Sequence, residues 1–109
     1  MTILKCDKSD KENSEKYILK NGEKEIGYGY FINREINPIE IFINEEERSN
    51  GYGKLLFAKM LQVAKEKGLK ALIFKIKDEN YRFSNIVSTS GALHVSSSDG
   101  ETKWALPIF

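Results

Sequence analysis

The sequence is poor in several features that define whole classes of protein. Its 109 residues contain a single cysteine, Cys6, which cannot form a disulfide within the chain and so fits a reducing compartment. Lysine and arginine number 17 against 16 aspartates and glutamates, so the basic excess that drives nonspecific binding to nucleic acid is missing. Apolar runs such as 55–58 are far shorter than the about 20 residues that cross a bilayer, and charges within 5–10 interrupt any secretion signal. We therefore expect a cytoplasmic protein that binds neither nucleic acid nor membranes.

Metal-ligating residues are also scarce. The only histidine, His94, falls within an apparent strand and has no metal-ligating partners at a recognisable spacing, so we expect no metal site. The chain otherwise has an ordinary globular composition, with 40% hydrophobic and 30% charged residues. Residues 1–109 are therefore interpreted as one domain with a single core.

Hydrophobic periodicity and turn residues divide the chain into predicted strands and helices. The predicted strands are 2–6, 17–20, 24–33, 39–43, 71–76, 92–96 and 102–108, and the predicted helices are 53–67 and 80–90. Gly68 ends the first helix, and Asn21-Gly22 and Asp99-Gly100 are hairpin turns. Residues 8–16 are interpreted as a polar loop and 96–98 as a turn. The strand–helix–strand order at 39–76 favours a right-handed parallel crossover within a mixed α+β fold.

The segment Arg48–Lys54 carries the clearest sign of chemistry. Its glycines, Gly51 and Gly53, lie at the entrance of the predicted helix and let the backbone turn sharply without a Cβ in the way. Backbone amides at such a turn point outward and, with the helix dipole, make an anion site suited to a diphosphate. Arg48 and Lys54 bracket the turn and either add charge to that anion or lie in water. The alternative interpretation is a plain helix start whose glycines only allow tight packing.

Two common phosphate-binding loops do not fit this segment. A Walker loop needs four residues between its glycines and a Ser or Thr after its lysine, whereas one residue separates these glycines and Leu55 follows Lys54. A dinucleotide-binding loop needs a third glycine, and Leu56 occupies that position. The segment therefore belongs to neither class.

The pattern Arg-x-x-Gly-x-Gly at 48–53 resembles the GNAT superfamily of acetyl-CoA-dependent N-acetyltransferases, whose helix entrance reads Arg/Gln-x-x-Gly-x-Gly/Ala. Ile43, five positions before the arginine, matches the apolar end of the family's preceding strand. Asn80 and Gly91 keep the spacing of 11 residues that follows the family's next strand. The resemblance covers about residues 17–108, and its strand–turn–helix context supports it.

The resemblance implies a fold and a co-substrate. The fold is a GNAT-like central sheet, mixed but mostly antiparallel and twisted, with splayed parallel strands and two flanking helices. The co-substrate is acetyl-CoA, with its pyrophosphate on the amides of 49–54 and its pantetheine arm along the strand 39–43. For Asn80 the alternative role is a helix cap or turn residue. The residues implied to contact acetyl-CoA are Ile41, Phe42, Ile43, Arg48, Ser49, Asn50, Gly51, Tyr52, Gly53, Lys54 and Asn80.

The resemblance also implies a mechanism, in which the amine of an acceptor attacks the thioester directly and a strand amide stabilises the oxyanion. No nucleophile of the enzyme is needed, but a base must take a proton from the incoming ammonium. Glu40 is our candidate because it lies on the strand beside the implied pantetheine path. The alternatives are that Glu40 belongs to a solvated face, or that water relays the proton to an acid at 45–47. No readable pattern identifies the acceptor amine.

Three positions depart from the family pattern and put the catalytic acid in doubt. Val87 stands where a tyrosine commonly protonates the departing thiolate, and Ala92 replaces a phenylalanine. Phe83 takes the place of a small residue on the cofactor's route. Three tyrosines are candidate substitutes for the acid, or alternatively core and edge aromatics: Tyr28, Tyr30 and Tyr81.

The stretch between the first two strands is short for this family. Family members usually carry two helices there, which grip the acceptor, but here only the polar residues 8–16 join the strands. We expect an acceptor cleft that is open, or one that a second copy of the chain completes in a homodimer. Two other functions stay open: a noncatalytic CoA-binding module, and a structural domain that retains only the fold.

Overall fold

Seven strands and two α-helices form the protein, and the computed structural model describes all residues from 1 to 109. The strands are β1 Thr2–Lys5, β2 Ser14–Asn21, β3 Lys24–Ile32, β4 Ile39–Ile43, β5 Ala71–Lys77, β6 Leu93–Ser98 and β7 Glu101–Pro107. The helices are α1 Tyr52–Glu66 and α2 Tyr81–Thr89, and a 3-10 turn covers Glu45–Glu47. The chain divides into two compact units, 1–33 with 39–63 and 34–38 with 64–109. Neither helix has the length and apolar composition of a membrane span.

The first unit is built on a four-stranded antiparallel sheet in the order β1-β2-β3-β4. Its β2–β3 hairpin turns as predicted at Gly22, whose φ of +63° lies in the left-handed region that glycine adopts without a Cβ penalty. A bulge after Leu19 leaves Ile26 as the extra residue of β3. The side chain of Ile26 turns into the core, where it is 1% exposed.

The helix α1 covers one face of this sheet because its apolar residues recur at helical spacing. Leu56 is fully buried against Leu19 and Ile26, and Ile41 and Ile43 pack on this cluster. A fully buried aliphatic side chain of this size stabilises the fold by about 1.5–3 kcal/mol. Since side chains alternate along a strand, the even-numbered residues of β4 face the opposite side of the sheet.

The second unit contains a three-stranded antiparallel sheet in the order β5-β7-β6, on which α2 packs. Asp99 and Gly100, with φ of +53° and +73°, form the predicted tight turn of the β6–β7 hairpin. Buried apolar side chains of β5, α2 and β7 form the interior of this unit: Leu72, Phe74, Ile76, Val87 and Leu106.

The C-terminal end of α1 is capped as the sequence predicts. Gly68 has a φ of +77°, and its N–H donates to Lys65 O at 3.0 Å. Leu69 N donates to Ala64 O at 3.1 Å, which satisfies another of the last carbonyls of the helix. The order of strands and helices and the mixed α+β class are likewise confirmed.

Two local predictions were wrong because polar residues form strands. β2 begins at Ser14, inside the predicted polar loop, since 14–16 pairs with 30–32 of β3. Residues 96–98, predicted as a turn, belong to β6 and pair with β7 while their side chains stay exposed. Polar side chains are compatible with an antiparallel strand wherever one of its faces meets water.

The strands form two hydrogen-bonded sheets, with β4 at an edge of the first and β5 at an edge of the second. Ile36 forms a parallel bridge with Ile73 of β5. Further along β5, Asn37 Oδ1 accepts from Lys75 N at 2.9 Å and Asn37 Nδ2 donates to Lys75 O at 3.1 Å. The segment 34–38, which directly precedes β4 in the chain, is therefore the part that pairs in parallel with β5.

Gly27→Ala should destabilise the protein, because a Cβ at Gly27 would lie 2.3 Å from the backbone oxygen of Phe42. We expect the free energy of unfolding in urea to fall by about 1–3 kcal/mol, the usual cost of overpacking. Gly29→Ala is the matched control on the same strand, because its Cβ would meet Glu40 O at 3.4 Å. That variant should stay within about 1 kcal/mol of the wild type. Equal stability of the two variants would contradict the close approach at Gly27.

Candidate functional site

The turn between β4 and α1 exposes a row of backbone N–H groups. Ser49 and Gly51 adopt left-handed conformations, with φ of +70° and +80°. The first hydrogen bond into α1 runs from Leu55 N to Gly51 O at 3.2 Å, and the N–H groups of 49–54 have no acceptor within the protein. A Cβ built on Gly51 would meet no atom within 4 Å, so the space beside the turn is open. Such a row of N–H groups at the positive end of a helix dipole is suited to an anion.

Hydrogen bonds from the backbone and from two asparagine side chains hold this turn in place. Glu47 N donates to Asn44 O at 2.9 Å, which closes the 3-10 turn. Asn44 is tied to β3, because its Nδ2 donates to Glu25 O at 2.7 Å. Asn50 Nδ2 donates to Glu47 O at 3.1 Å. The conformation of the turn is therefore braced by the chain itself.

The charges next to the turn are partly neutralised. Three glutamates precede it, and the last of them, Glu47, forms an ion pair with Lys24 at 2.5 Å. The hydrogen bond and the charge of Glu47 raise the pKa of Lys24 above its ordinary value. Lys54, one of the predicted cations, is exposed in the first turn of α1. An anion at the turn would therefore meet less repulsion than the run of acids in the sequence suggests.

Arg48, the other predicted cation, folds back onto the end of β4. Its Nε donates to Ile43 O at 2.9 Å, and its guanidinium carbon lies 5.6 Å from the centre of the Phe42 ring. This arrangement links the turn to the strand by a charge-assisted hydrogen bond and a cation–π contact. The role visible for Arg48 is therefore to hold the turn against β4.

The free edge of β4 presents backbone groups of two isoleucines. Asn44 N donates to Ile26 O at 2.9 Å, so Asn44 and Ile26 form a hydrogen-bonded pair. Hydrogen-bonded and non-hydrogen-bonded pairs alternate along an antiparallel ladder, so the next pair, Ile43 with Gly27, is not hydrogen bonded. Alternation along the ladder makes Phe42 part of a hydrogen-bonded pair and Ile41 part of a pair that is not. The N–H and C=O groups of Ile41 and Ile43 therefore point away from β3, while those of Phe42 are used within the sheet.

Glu40, the candidate base, lies on the face of β4 opposite α1 and forms an ion pair with Lys11. Lys11 belongs to the connection between β1 and β2, and its ammonium also lies 4.9 Å from the centre of the Tyr30 ring. The two charged residues are 29 positions apart in the chain. The structure thus sets a lysine amine directly against the candidate carboxylate.

A short hydrogen bond anchors the β1–β2 connection to the sheet. Tyr30 Oη donates to Asp10 Oδ1 at 2.6 Å, and this bond lowers the pKa of Asp10 below its ordinary value. Burial raises the pKa of Tyr30, and the hydrogen bond to Asp10 raises it further. Lys16 Nζ lies 3.7 Å from the same carboxylate. Tyr30, considered above as a substitute acid, is thus engaged in this anchor.

The other two tyrosines considered as acids have different surroundings. Tyr28 stacks on Phe42 with 5.2 Å between ring centres, and Lys16 Nζ lies 4.6 Å from the centre of its ring. Tyr81, the first residue of α2, is 68% exposed. Tyr28 is therefore part of an aromatic cluster on the sheet, and Tyr81 is a surface residue.

The site residues predicted in the second unit lie on or next to α2. Asn80 Oδ1 accepts from Phe83 N at 3.4 Å, so Asn80 caps the helix, which was its alternative role. The Phe83 ring packs edge-on against Phe74 with 5.8 Å between ring centres. Val87 is fully buried, so this position offers no hydroxyl to a ligand.

Comparison with protein families identifies the chain. A sequence model described as the Acetyltransferase (GNAT) family matches residues 2–83. The chain belongs to the GNAT family of acetyltransferases. No curated protein matches its sequence.

Solved structures show the same GNAT fold. An acetyltransferase of Bacillus subtilis in complex with CoA is similar with a TM-score of 0.74 and 14% identity, over 90% of this chain and 79% of that one. A putative acetyltransferase of Salmonella typhimurium with acetyl-CoA has a TM-score of 0.72 and 13% identity, over 88% and 65% of the two chains. A putative streptothricin acetyltransferase of Bacillus anthracis with acetyl coenzyme A has a TM-score of 0.71 and 20% identity, over 90% and 64%. The chain thus spans just under two thirds of the last two proteins.

Two residues near the candidate base of this GNAT protein could not be recognised from the sequence. Asp10 and Lys11 belong to a polar run without periodicity, which was interpreted only as an exposed loop. Their partners, Tyr30 and Glu40, lie on two other strands. The one available signal was that this run stands where the family usually has two helices. Its side chains therefore contact the part of the sheet that those helices would otherwise cover.

Tyr30→Phe should raise the pKa of Asp10 toward its ordinary value, because the hydrogen bond that chiefly lowers it is removed. NMR titration of the Asp10 carboxyl carbon measures this change. Because the pKa of Asp10 is depressed in the folded state, this hydrogen bond stabilises the fold at pH values above the ordinary Asp pKa of about 4. The stabilisation is lost as the pH falls through the pKa that Asp10 has in the folded protein. Tyr28→Phe is the control and should leave the Asp10 titration unchanged. An Asp10 pKa that is the same in wild type and Tyr30→Phe would contradict the anchor.

Proposed function

We propose that the protein is an N-acetyltransferase that transfers the acetyl group of acetyl-CoA to a primary amine by direct attack in a ternary complex. The observation that carries the proposal is the row of N–H groups at 49–54, which have no acceptor and begin a helix in a chain of the GNAT family. Similar proteins solved with CoA or acetyl-CoA support the same co-substrate. Residues 1–109 would act as one acyl-CoA-binding domain, either alone or in a homodimer.

The backbone would supply most of the contacts with acetyl-CoA. The amides of 49–54 would hold the pyrophosphate, since they are unpaired and lie at the positive end of the α1 dipole. The outward C=O of Ile41 and the N–H of Ile43 would pair with the amides of the pantetheine arm, as an added strand does, which leaves the outward N–H of Ile41 for the thioester. The Ile43 carbonyl is already used by Arg48. Asn80 stays a predicted contact of acetyl-CoA through its Nδ2, because only its Oδ1 is needed to cap α2.

Acetyl-CoA, when bound, supplies an activated thioester. The acceptor ammonium must lose a proton before it attacks, and Glu40 is the carboxylate adjacent in sequence to the outward groups of Ile41. An outward N–H of β4 would stabilise the oxyanion, an effect worth about 10²–10³ in rate for a single donor. A thiolate leaves readily, since the pKa of an ordinary thiol is about 8.5. Transfer therefore does not depend on a tyrosine at the position of Val87.

A noncatalytic CoA-binding module is the alternative function, and two observations favour it. Val87 is buried and cannot act as an acid. Glu40 is paired with Lys11, so an acceptor amine has to compete with that lysine for the carboxylate. A module of this kind would bind acetyl-CoA without passing its acetyl group to an amine.

Release of the free CoA thiol in the presence of a panel of primary amines separates these two functions. We expect at least one small amine, peptide N-terminus or lysine peptide to accelerate release above hydrolysis in buffer. Glu40→Gln should slow that release by about 10²–10⁴-fold, the usual contribution of a general base, without weakening acetyl-CoA binding. Binding without amine-dependent release across the panel would support the module instead.

Gly51→Glu should abolish acetyl-CoA binding measured by calorimetry. The new side chain would occupy the open space beside the turn and add a negative charge where the diphosphate has to bind. Gly68→Glu is a matched control, because Gly68 lies just beyond the other end of α1 with a similar φ, +77° against +80°, and equally open surroundings. Both variants bear the cost of a left-handed non-glycine residue, but only Gly51→Glu should lose binding. Unchanged affinity in Gly51→Glu would refute the assignment of the turn.

A further inference from the structure

The connection between β1 and β2 presents a primary amine to the candidate base. Lys11 Nζ is ion-paired with Glu40 Oε1, and the two side chains remain 44% and 38% exposed. In direct transfer the acceptor nitrogen has to lie within hydrogen-bonding reach of the group that takes its proton. Lys11 therefore stands in the same relation to Glu40 as an acceptor amine.

The position of Lys11 is set by several contacts of its neighbourhood. Ser14 Oγ donates to Lys11 O at 2.7 Å, which fixes the backbone of the connection. The adjacent Asp10 accepts the 2.6 Å hydrogen bond from Tyr30, whose ring also lies 4.9 Å from Lys11 Nζ. A nucleophile that is already oriented reacts as if its concentration were very high, because the entropy of bringing it to the site has been lost during folding.

The strand that carries Glu40 also carries the outward backbone groups. Ile41 is the next residue, and successive residues of a strand are only about 3.3 Å apart. A thioester carbonyl hydrogen-bonded at the edge of β4 would therefore lie close to Glu40. The ammonium of Lys11 is held beside this part of the strand by the same carboxylate.

We propose that Lys11 is an internal acceptor, so that the chain acetylates its own Lys11 Nζ from acetyl-CoA. The inference rests on the acetyltransferase function proposed above. Glu40 takes one proton from the Lys11 ammonium, and the neutral amine attacks the thioester carbonyl carbon. The N–C bond of the amide forms and the C–S bond breaks. The nitrogen loses two protons in all, of which one ends on the CoA thiol and the other passes through Glu40 to water.

Neighbouring lysines do not share this geometry. Lys16 Nζ lies 3.7 Å from Asp10 Oδ1 and 4.6 Å from the centre of the Tyr28 ring, and its ion pair is with Asp10, whereas that of Lys11 is with Glu40. Lys8 is exposed in the same connection and forms no ion pair. Self-acetylation should therefore select Lys11. The acetylated side chain has no charge, so the modification removes the cation that competes with an external amine for Glu40.

The test is to incubate the pure full-length protein with deuterated acetyl-CoA and to quantify labelling of each lysine by peptide mass spectrometry after chymotrypsin digestion. The wild type, Lys11→Arg, Glu40→Gln and Lys8→Arg are compared over a tenfold range of protein concentration. Lys11→Arg keeps the ion pair with Glu40 but offers no nucleophilic amine at neutral pH. Lys8→Arg is the matched control within the same connection. Acetyl-CoA binding by calorimetry is measured on the same samples.

We expect Lys11 to be labelled at least about tenfold faster than Lys8, with a rate constant independent of protein concentration. Glu40→Gln should slow labelling of Lys11 by about 10²-fold or more and leave that of Lys8 unchanged. Lys8→Arg should leave labelling of Lys11 unchanged. Equal labelling of Lys11 and Lys8 in a protein that binds acetyl-CoA, or a rate constant proportional to protein concentration, would overturn the internal acceptor and leave the proposed function standing. Absence of acetyl-CoA binding would overturn both.

Discussion

The close approach of β3 to β4 at Gly27 is the constraint on which the rest of the candidate site depends. A Cβ there would lie 2.3 Å from Phe42 O, so only glycine permits this spacing. The close spacing at Gly27 occurs only in the observed register of β3 with β4. That register directs the backbone groups of Ile41 and Ile43 to the free edge of β4. If β4 slipped by one residue along β3, its side chains would exchange faces of the sheet, and its inward and outward backbone groups would exchange places. The slip would turn Glu40 toward the helix and use the isoleucine amides within the sheet, so that the proposed binding and chemistry would be lost together.

The proposed recognition of acetyl-CoA at the turn would depend on the backbone, and the nearby charged side chains would support it indirectly. Arg48 holds the end of β4 through the Ile43 carbonyl, and Lys24 offsets the charge of Glu47. Neither interaction requires a ligand, so the turn is formed before an anion arrives. A preformed row of N–H groups loses little conformational entropy on binding. The proposed site would therefore suit a highly charged co-substrate even in a chain with almost no net charge.

The sequence predicted those parts of the structure that depend on local spacing. The helix α1, its cap at Gly68 and both tight hairpin turns follow from residues within a few positions of one another. The parts that it did not predict depend on contacts between distant residues. The pairing of 14–16 with β3 makes a strand of polar residues, and the side chain of Asn37 occupies an edge of β5. The pairing of Lys11 with Glu40 spans 29 residues and leaves no trace in periodicity or composition.

The short β1–β2 connection covers the sheet by a different kind of interaction from a packed helix. A helix buries apolar area, which is costly to undo, whereas an exposed ion pair such as that of Lys11 with Glu40 stabilises by at most about 1 kcal/mol. The hydrogen bond from Tyr30 to Asp10 keeps the connection in place while the lysine is free to exchange its partner. The carboxylate is thus occupied at rest and yet accessible at little cost in free energy. Such an arrangement would suit the proposed base, which would accept a proton first from Lys11 of its own chain and then from external amines.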